Sequence, residues 1–328
     1  MVVAAMTAAA LLTAGSTTAR AGEPATIAPA ASPGCAGPAA VPGTSRQQFA
    51  AAGKSGSYAQ DVPAADAPLP LVLDLHGYLE PAEVQRAMSG VAQFGIEHGF
   101  ATVTPQIDEP GLPRWDFAEN SGDITYLSDL ITHVESALCV DQRRIYVTGL
   151  SMGAFTTSSL ACRLADRIAA VAPVAGLRDF SWCEPARAIP VVAFHGTADP
   201  IVAYTGGAGP NARFLPSPDG SGSAGGRDRP GGVDGPGEAS IPDNAAAWAR
   251  RNGCEPEPVR LQVAADVTLS SYACPEHADV EFYSVVGGGH TWPGAVSSIS
   301  PEPLVGTTTG SISANQIMWD FFRAHPLT

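Results

Sequence analysis

A serine between two glycines is the residue of this chain best suited to act as a nucleophile. It is Ser151, in the segment 149–153 (GLSMG), which follows the apolar run 145–148 and precedes small and apolar residues. The pattern G-x-S-x-G predicts a strand, a sharp turn and a helix, with the serine hydroxyl exposed on the turn. Five residues alone are a weak signal, so the hypothesis depends on partners elsewhere in the chain.

A serine hydroxyl needs a base to take its proton, and the base needs an acid to fix its tautomer. Two candidates follow Ser151, each directly after an apolar run: Asp199 after 191–194 and His290 after 280–286. The order serine, acid, histidine along the chain is that of α/β-hydrolases. The sequence therefore predicts Ser151 as nucleophile, Asp199 as acid and His290 as base.

The other histidines fit this scheme less well. His76 and His195 also follow apolar runs, but both precede the candidate acid, and we interpret them as structural hydrogen-bonding groups. The remaining four lie on predicted helix faces or in polar segments: His98, His133, His277 and His325.

Attack on an ester carbonyl also requires donors for the negative oxygen that forms. We expect the backbone N–H groups of Met152, directly after the nucleophile, and of Tyr78, in the loop after the run 69–76, to be these donors. Trp115 and Trp292 are candidates to line a pocket for an acyl or aryl group, with ordinary packing as the alternative for both.

The elements that must position these residues alternate along the chain. Apolar runs and amphipathic helical segments predict an α/β fold of a single domain, with a mostly parallel central sheet and helices on both faces. We expect strands at 69–76, 100–105, 145–148, 168–175, 189–195 and 280–286, and helices at 83–97, 123–138, 152–164, 243–252 and 313–324. Segment 44–58 could hold an irregular strand, and 205–238, rich in Gly, Pro and Asp, is expected to be a mobile surface loop.

Composition narrows the function classes. Hydrophobic residues make up 45% of the chain, enough for a sizeable core. The formal net charge of −14 disfavours nucleic acid and anionic membrane surfaces as partners, because like charges repel.

Residues 1–21 are typical of an export signal, with an apolar run and an A-x-A site at 19–21, although no Lys or Arg precedes the run. We expect a flexible leader at 22–43, a catalytic domain at 44–328, and a secreted monomer.

The cysteines agree with export. There are six, an even number with no C-x-x-C motif, which favours disulfides over a metal site. Six cysteines allow about 15 pairings. Nearness in the chain favours Cys162–Cys183 and Cys254–Cys274, which leaves Cys35–Cys139, and buried free thiols stay open as an alternative.

Several segments together resemble the secreted esterase family that contains polyhydroxybutyrate depolymerases and feruloyl esterases. The resemblance covers most of 69–293 and is carried by PLVLDLHGY, RRIYVTGLSMGAF, AAVAPVAG, VVAFHGTADPIVAY, AAWARRNGC and GGGHTWPG. It implies an α/β-hydrolase fold, a carboxylic-ester substrate, no cofactor, the same three catalytic residues and the same cysteine pairing. Two positions depart from the family pattern: Ala154, where a glycine is common, and Tyr78, where a cysteine or glycine is common.

The leading hypothesis is a secreted serine esterase that forms an acyl-enzyme on a small or oligomeric ester of feruloyl, short-acyl or hydroxyalkanoate type. A polyhydroxybutyrate-like depolymerase is an alternative, although no Ser/Thr-rich linker or binding module follows the last predicted helix. A peptidase of the same fold would usually carry a propeller or lid domain. A non-catalytic secreted binding protein on this scaffold predicts a broken set of catalytic residues, whereas this set is complete in sequence.

Overall fold

The computed structural model describes residues 27–216, 239–295 and 300–328. The strands in these ranges are β1 (Gly43–Ala51), β2 (Lys54–Val62), β3 (Leu69–Leu75), β4 (Ala101–Ile107), β5 (Val140–Leu150), β6 (Ala170–Val174), β7 (Val191–Gly196), β8 (Val259–Ala264), β9 (Val267–Ser271) and β10 (Val280–Val285). The helices are α1 (Ala82–Ser89), α2 (Val91–His98), α3 (Gly122–Ala137), α4 (Met152–Arg163), α5 (Ile241–Arg251), α6 (Glu302–Val305) and α7 (Ala314–Ala324).

Across the described ranges the strands form one sheet in the order β1-β2-β4-β3-β5-β6-β7-β10-β9-β8. The six central strands from β4 to β10 are parallel. An antiparallel hairpin extends each edge, β1–β2 on one side and β9–β8 on the other. The prediction of an α/β fold with a mostly parallel central sheet is confirmed.

Strand β3 shows why the central sheet must be covered on both faces. All seven of its residues are buried. Leu71, Leu73 and Leu75 join one core with helices α3, α4 and α5, whereas Val72 joins a second core with helices α2 and α7. Successive strand residues point to opposite faces, so a continuous apolar run is the pattern of a strand buried between two helical layers.

The segment before β1 differs from the expected flexible leader. The Ala30 N–H donates to Asp141 Oδ1 at 2.9 Å, and the Ser32 hydroxyl donates to the Leu138 carbonyl at 2.8 Å. Cys35 is bonded to Cys139. These bonds attach residues 30–35 to the residues around the start of β5, whereas a flexible leader was expected at 22–43.

Two further predictions concern residues that lie wholly or partly outside the described ranges. The proposed export signal at 1–21 lies outside them, as does 217–238 of the expected loop at 205–238. The described part of that loop, 205–216, contains a short 3-10 turn at Ala212–Phe214. No helix in the described ranges is both long and apolar enough to span a bilayer.

The strands that sequence patterns missed lie at the edges of the sheet. Strands β1 and β8 are exposed along most of their length, so burial imposes no continuous apolar run on them. The alternation of Val259, Leu261 and Val263 is the signal that could have predicted β8. The single helix expected at 83–97 is divided into α1 and α2 at Gly90, whose φ of 64° ends the first helix.

The six cysteines form three disulfides: Cys162–Cys183 and Cys254–Cys274, which nearness in the chain favoured, and Cys35–Cys139, the pair that was left. They close segments of very different length, with sequence separations of 104, 21 and 20 residues.

We predict that removing Cys35–Cys139 costs more stability than removing Cys254–Cys274. In the chain-entropy model a closed loop of about 100 residues contributes about 4.7 kcal/mol and one of about 15 residues about 3 kcal/mol. Denaturant unfolding of the two paired Cys→Ala variants measures the difference in the free energy of unfolding. Equal losses, or a larger loss for the short loop, would contradict the prediction.

Candidate active site

The turn at Ser151 is held in a strained conformation. Strand β5 ends at Leu150, helix α4 begins at Met152, and Ser151 between them has φ 58° and ψ −118°. A non-glycine residue with positive φ costs on the order of 1–3 kcal/mol and persists only where its surroundings hold it. Here the Ser151 N–H donates to the Val174 carbonyl of β6, and the Ser151 carbonyl accepts from Ala154 and Phe155. The strand, turn and helix predicted around this serine are therefore present.

The two flanking glycines are required by the neighbouring strand. A Cβ added at Gly149 would lie 2.6 Å from the Leu75 carbonyl oxygen, and one added at Gly153 would lie 2.2 Å from the same atom. Real Cβ atoms do not approach backbone so closely. Strand β3 can pass this near the turn only because both positions lack a side chain.

Asp199 follows β7 in a loop that surrounds its carboxylate with donors. Its Oδ1 accepts from the backbone N–H groups of Ile201 at 2.8 Å and Val202 at 2.9 Å. Its Oδ2 lies 2.7 Å from His290 Nδ1 and 3.2 Å from His195 Nε2. Burial alone would raise the pKa of Asp199, but the two imidazoles outweigh it and hold that pKa well below its usual range. The carboxylate is therefore ionised at neutral pH.

His290 follows β10 after three glycines and is 8% exposed. Its backbone N–H donates to the Val305 carbonyl at 2.6 Å. A carboxylate only accepts hydrogen bonds, so the contact with Asp199 requires the proton on Nδ1. The neutral ring then carries its lone pair on Nε2, as a general base requires.

His195 and His76 have hydrogen bonds that match their interpretation as structural residues. His195 is fully buried, and its Nε2 donates to the Val202 carbonyl at 2.9 Å from behind Asp199. His76 Nδ1 donates to the Gly77 carbonyl at 2.8 Å. Burial lowers the pKa of His76 to about 4, so this imidazole is neutral.

The loop after β3 lies beside the serine turn. A Cβ added at Gly77 would lie 3.5 Å from Ser151 Cβ. The loop is fixed from behind, because the Trp115 indole N–H donates to the His76 carbonyl and the Leu79 N–H donates to the Pro113 carbonyl, both at 2.9 Å. Leu79 has a φ of 66°, which is a second strained non-glycine residue beside the serine.

The two tryptophans expected at a pocket are almost completely buried. Trp115 is 2% exposed and its ring packs on His76 with centroids 4.6 Å apart. Trp292 is 1% exposed, and its indole N–H donates to Asn315 Oδ1. Their placement corresponds to the alternative reading of ordinary packing, since neither ring presents a face to solvent.

Glu80 was not predicted from the sequence. It lies in the loop after β3, next to the turn at Ser151. Its Oε2 accepts from the Gly77 N–H at 2.9 Å. Burial raises the pKa of Glu80 to about 7, against the opposing effect of the Gly77 hydrogen bond and of the charge on His290. The only sequence signal was an acid three residues after the glycine of a turn, a spacing at which a side chain can accept from a backbone N–H.

The described atoms thus bring Asp199 into contact with His290, and the loop after β3 into contact with the turn at Ser151. Glu80 belongs to the second group, because its carboxyl accepts from the Gly77 N–H. Met152, one expected donor for an oxyanion, is the first residue of α4, and Tyr78, the other, directly follows Gly77.

This fold is that of the α/β-hydrolases. The solved structure of an acetyl xylan esterase from Aspergillus awamori matches 85% of this chain and 100% of its own, with a TM-score of 0.54 at 15% identity, a likeness of fold. Feruloyl esterase B of Piromyces equi is 27% identical over 234 residues, which are 69% of this chain and 40% of that protein. Poly(3-hydroxyalkanoate) depolymerase C of Paucimonas lemoignei is 34% identical over 119 residues, 33% of this chain and 28% of that protein.

The resemblance to the esterase family that contains feruloyl esterases and polyhydroxyalkanoate depolymerases is confirmed by these relatives. The chain matches less than half the length of both. No family model matches it.

We predict that Gly153→Ala destabilises the protein by about 1–3 kcal/mol, since the new Cβ would overlap the Leu75 carbonyl and the backbone must shift. Without this contact, glycine to alanine in a helix would stabilise by about 0.5–1 kcal/mol, so the sign is informative. The measurement is denaturant unfolding. The matched control is Gly310→Ala, where a Cβ meets nothing within 4 Å and a change within about 0.5 kcal/mol is expected.

Proposed function

We propose that this protein is a serine esterase, with Ser151 as nucleophile, His290 as base and Asp199 as acid. The observation that carries the proposal is the 2.7 Å contact between His290 Nδ1 and the ionised Asp199, at the sheet edge where Ser151 occupies a strained turn. Burying a carboxylate costs free energy, and a purely structural role would not require it. A buried carboxylate is, however, what a catalytic histidine needs to hold its orientation and tautomer.

In the proposed reaction, the Ser151 hydroxyl attacks the ester carbonyl while His290 Nε2 accepts its proton. Asp199 stabilises the imidazolium that forms. The N–H groups of Met152 and Tyr78 hold the negative oxygen of the tetrahedral intermediate. The intermediate collapses with cleavage of the ester C–O bond, His290 gives its proton to the leaving alcohol, and the acyl group stays on Ser151. Water then attacks the acyl-enzyme while His290 accepts its proton, and return of that proton to the Ser151 oxygen releases the carboxylic acid.

We predict that Ser151→Ala abolishes labelling by a fluorophosphonate probe and that Asp199→Asn lowers kcat on p-nitrophenyl acetate about 10⁴-fold, because the wrong tautomer of His290 is then favoured. His290→Asn is expected to cost at least as much. The control is His98→Asn, on the exposed end of α2, which should keep full activity. A wild type that neither labels nor hydrolyses esters would support the non-catalytic binding protein instead.

A group of aromatic side chains, of which Phe155 is buried and the others are half-buried, supports an aryl or short acyl group as the part of the ester that is bound. Phe155, one turn along α4 from Ser151, packs against Phe117 with ring centroids 5.4 Å apart. Phe180 lies 6.1 Å from Phe117 and stacks on Trp182 at 4.8 Å. A Cβ at Gly176 would touch both the Phe155 ring and the Ser151 carbonyl oxygen, so this group adjoins the serine turn.

We predict higher kcat/KM on methyl ferulate and p-nitrophenyl butyrate than on long-chain p-nitrophenyl esters. Phe180→Ala should raise KM for methyl ferulate roughly 2- to 10-fold, the value of one aromatic contact, and leave that for ethyl acetate nearly unchanged. Phe94→Ala, on the opposite face of the sheet, is the matched control. Faster turnover of long-chain esters, or of 3-hydroxybutyrate oligomers alone, would reject the aryl and short-acyl preference.

We also propose that the protein is exported. Three disulfides support an oxidising compartment, since cytosolic thiols are kept reduced. Expression of the full sequence in a bacterial host, followed by detection in the medium or the periplasm, tests this.

A further inference from the structure

On the basis of the proposed esterase function, we infer that Glu80 is a positioning residue whose carboxyl group, by holding Gly77, orients the Tyr78 N–H toward the oxyanion.

Glu80 binds Gly77 at both of its backbone polar groups. The Gly77 N–H donates to Glu80 Oε2 at 2.9 Å, and the Glu80 N–H donates to the Gly77 carbonyl at 3.4 Å. His76 Nδ1 donates to the same carbonyl at 2.8 Å. Gly77 is therefore fixed from its N–H side by a carboxyl and from its carbonyl side by two donors.

The carbonyl of Gly77 and the N–H of Tyr78 belong to one peptide unit. This peptide bond is trans, so the N–H points opposite to the carbonyl. Holding the Gly77 carbonyl on one side therefore aims the Tyr78 N–H to the other. An oxyanion donor is effective only within about 2.7–3.1 Å of the developing charge, so a rotation of this peptide would weaken it.

The Glu80 carboxyl and the Ser151 side chain both lie close to Gly77. A Cβ at Gly77 would be 2.9 Å from Glu80 Oε2 and 3.5 Å from Ser151 Cβ. Two titratable groups act on this carboxyl or are acted on by it. A positive charge on His290, as forms during catalysis, favours the ionised form of Glu80, and an ionised Glu80 disfavours ionisation of the buried Asp74.

A turn that only needed to fold would not require a carboxyl at this position. Leu79 is strained, with a φ of 66°, and the loop is already attached to Pro113 and Trp115. The Glu80 side chain adds one acceptor on Gly77, at the cost of burying an ionisable group. This acceptor fixes the N–H side of Gly77, and with the carbonyl side held by His76 and by the Glu80 N–H it limits rotation at Gly77 and so of the next peptide, which carries the Tyr78 N–H.

The test compares Glu80→Gln, whose amide oxygen can still accept from Gly77, with Glu80→Met, which has a similar shape and no strong acceptor. We expect Glu80→Met to lower kcat on p-nitrophenyl acetate about 10- to 100-fold, somewhat less than outright loss of a donor, with KM nearly unchanged. Glu80→Gln should stay within about threefold of the wild type, because the hydrogen bond is retained. Glu97→Met, on the surface of α2, is the control for the substitution itself.

A second readout separates positioning from a general structural role. A phenylboronic acid forms a tetrahedral adduct on the serine, so its affinity should fall in Glu80→Met in parallel with kcat. Thermal unfolding should stay close to that of the wild type. Glu80→Ala serves in place of Glu80→Met if the thioether does not pack, with the same expected losses.

Three outcomes would overturn the inference. Wild-type kcat in Glu80→Met and Glu80→Ala would show that the acceptor is not needed. Equal losses in Glu80→Gln and Glu80→Met would show that charge matters and not the hydrogen bond to Gly77. A wild type without esterase activity would reject the proposed function and this inference with it, whereas an active wild type with unimpaired variants rejects this inference alone.

Discussion

The close passage of strand β3 behind the turn at Ser151 is the constraint on which the rest of the site depends. The Leu75 carbonyl lies so near the turn that neither Gly149 nor Gly153 can carry a side chain. The same passage brings the end of β3 to the turn, so the loop at 76–80 begins next to the serine. The close contact between the neighbouring parallel strands β3 and β5 thus determines the positions of both the strained Ser151 turn and the adjacent loop.

The buried carboxyl groups near the candidate site differ in pKa because they have different hydrogen-bond donors. Asp199 accepts from two backbone N–H groups and contacts two imidazoles, and it is held ionised. Glu80 accepts from one backbone N–H, and Asp74 accepts from the neutral side chains Gln85 and Ser89, so burial raises the pKa of each to about 7. The number and charge of the donors, not the depth of burial, separate the proposed acid from the other two.

Patterns of apolar residues predicted the central strands well and the edges poorly. Strands β3 and β7 are completely buried, and β5 and β10 are mostly buried, so burial dictates their composition. The hairpins β1–β2 and β8–β9 were missed or left irregular, because an exposed edge strand is stabilised by backbone pairing that many sequences allow. The segment before β1 was expected to be flexible, whereas the structure shows it bonded to Asp141 and Leu138. Local sequence could not predict these bonds, because they join residues more than 100 positions apart.

By itself, the sequence determined the order of the proposed catalytic residues along the chain: a serine in a turn, then an acid, then a histidine. Each follows an apolar run, and such a run predicts a buried strand from local sequence alone. Only the tertiary structure decided which other groups meet them. His195 contacts Asp199, Trp115 and Trp292 are buried, and Glu80 binds Gly77 beside Ser151. The physical reason is that a hydrogen bond or a buried ring depends on distances of a few ångströms between loops, and those distances are fixed by how strands pack and not by residue type.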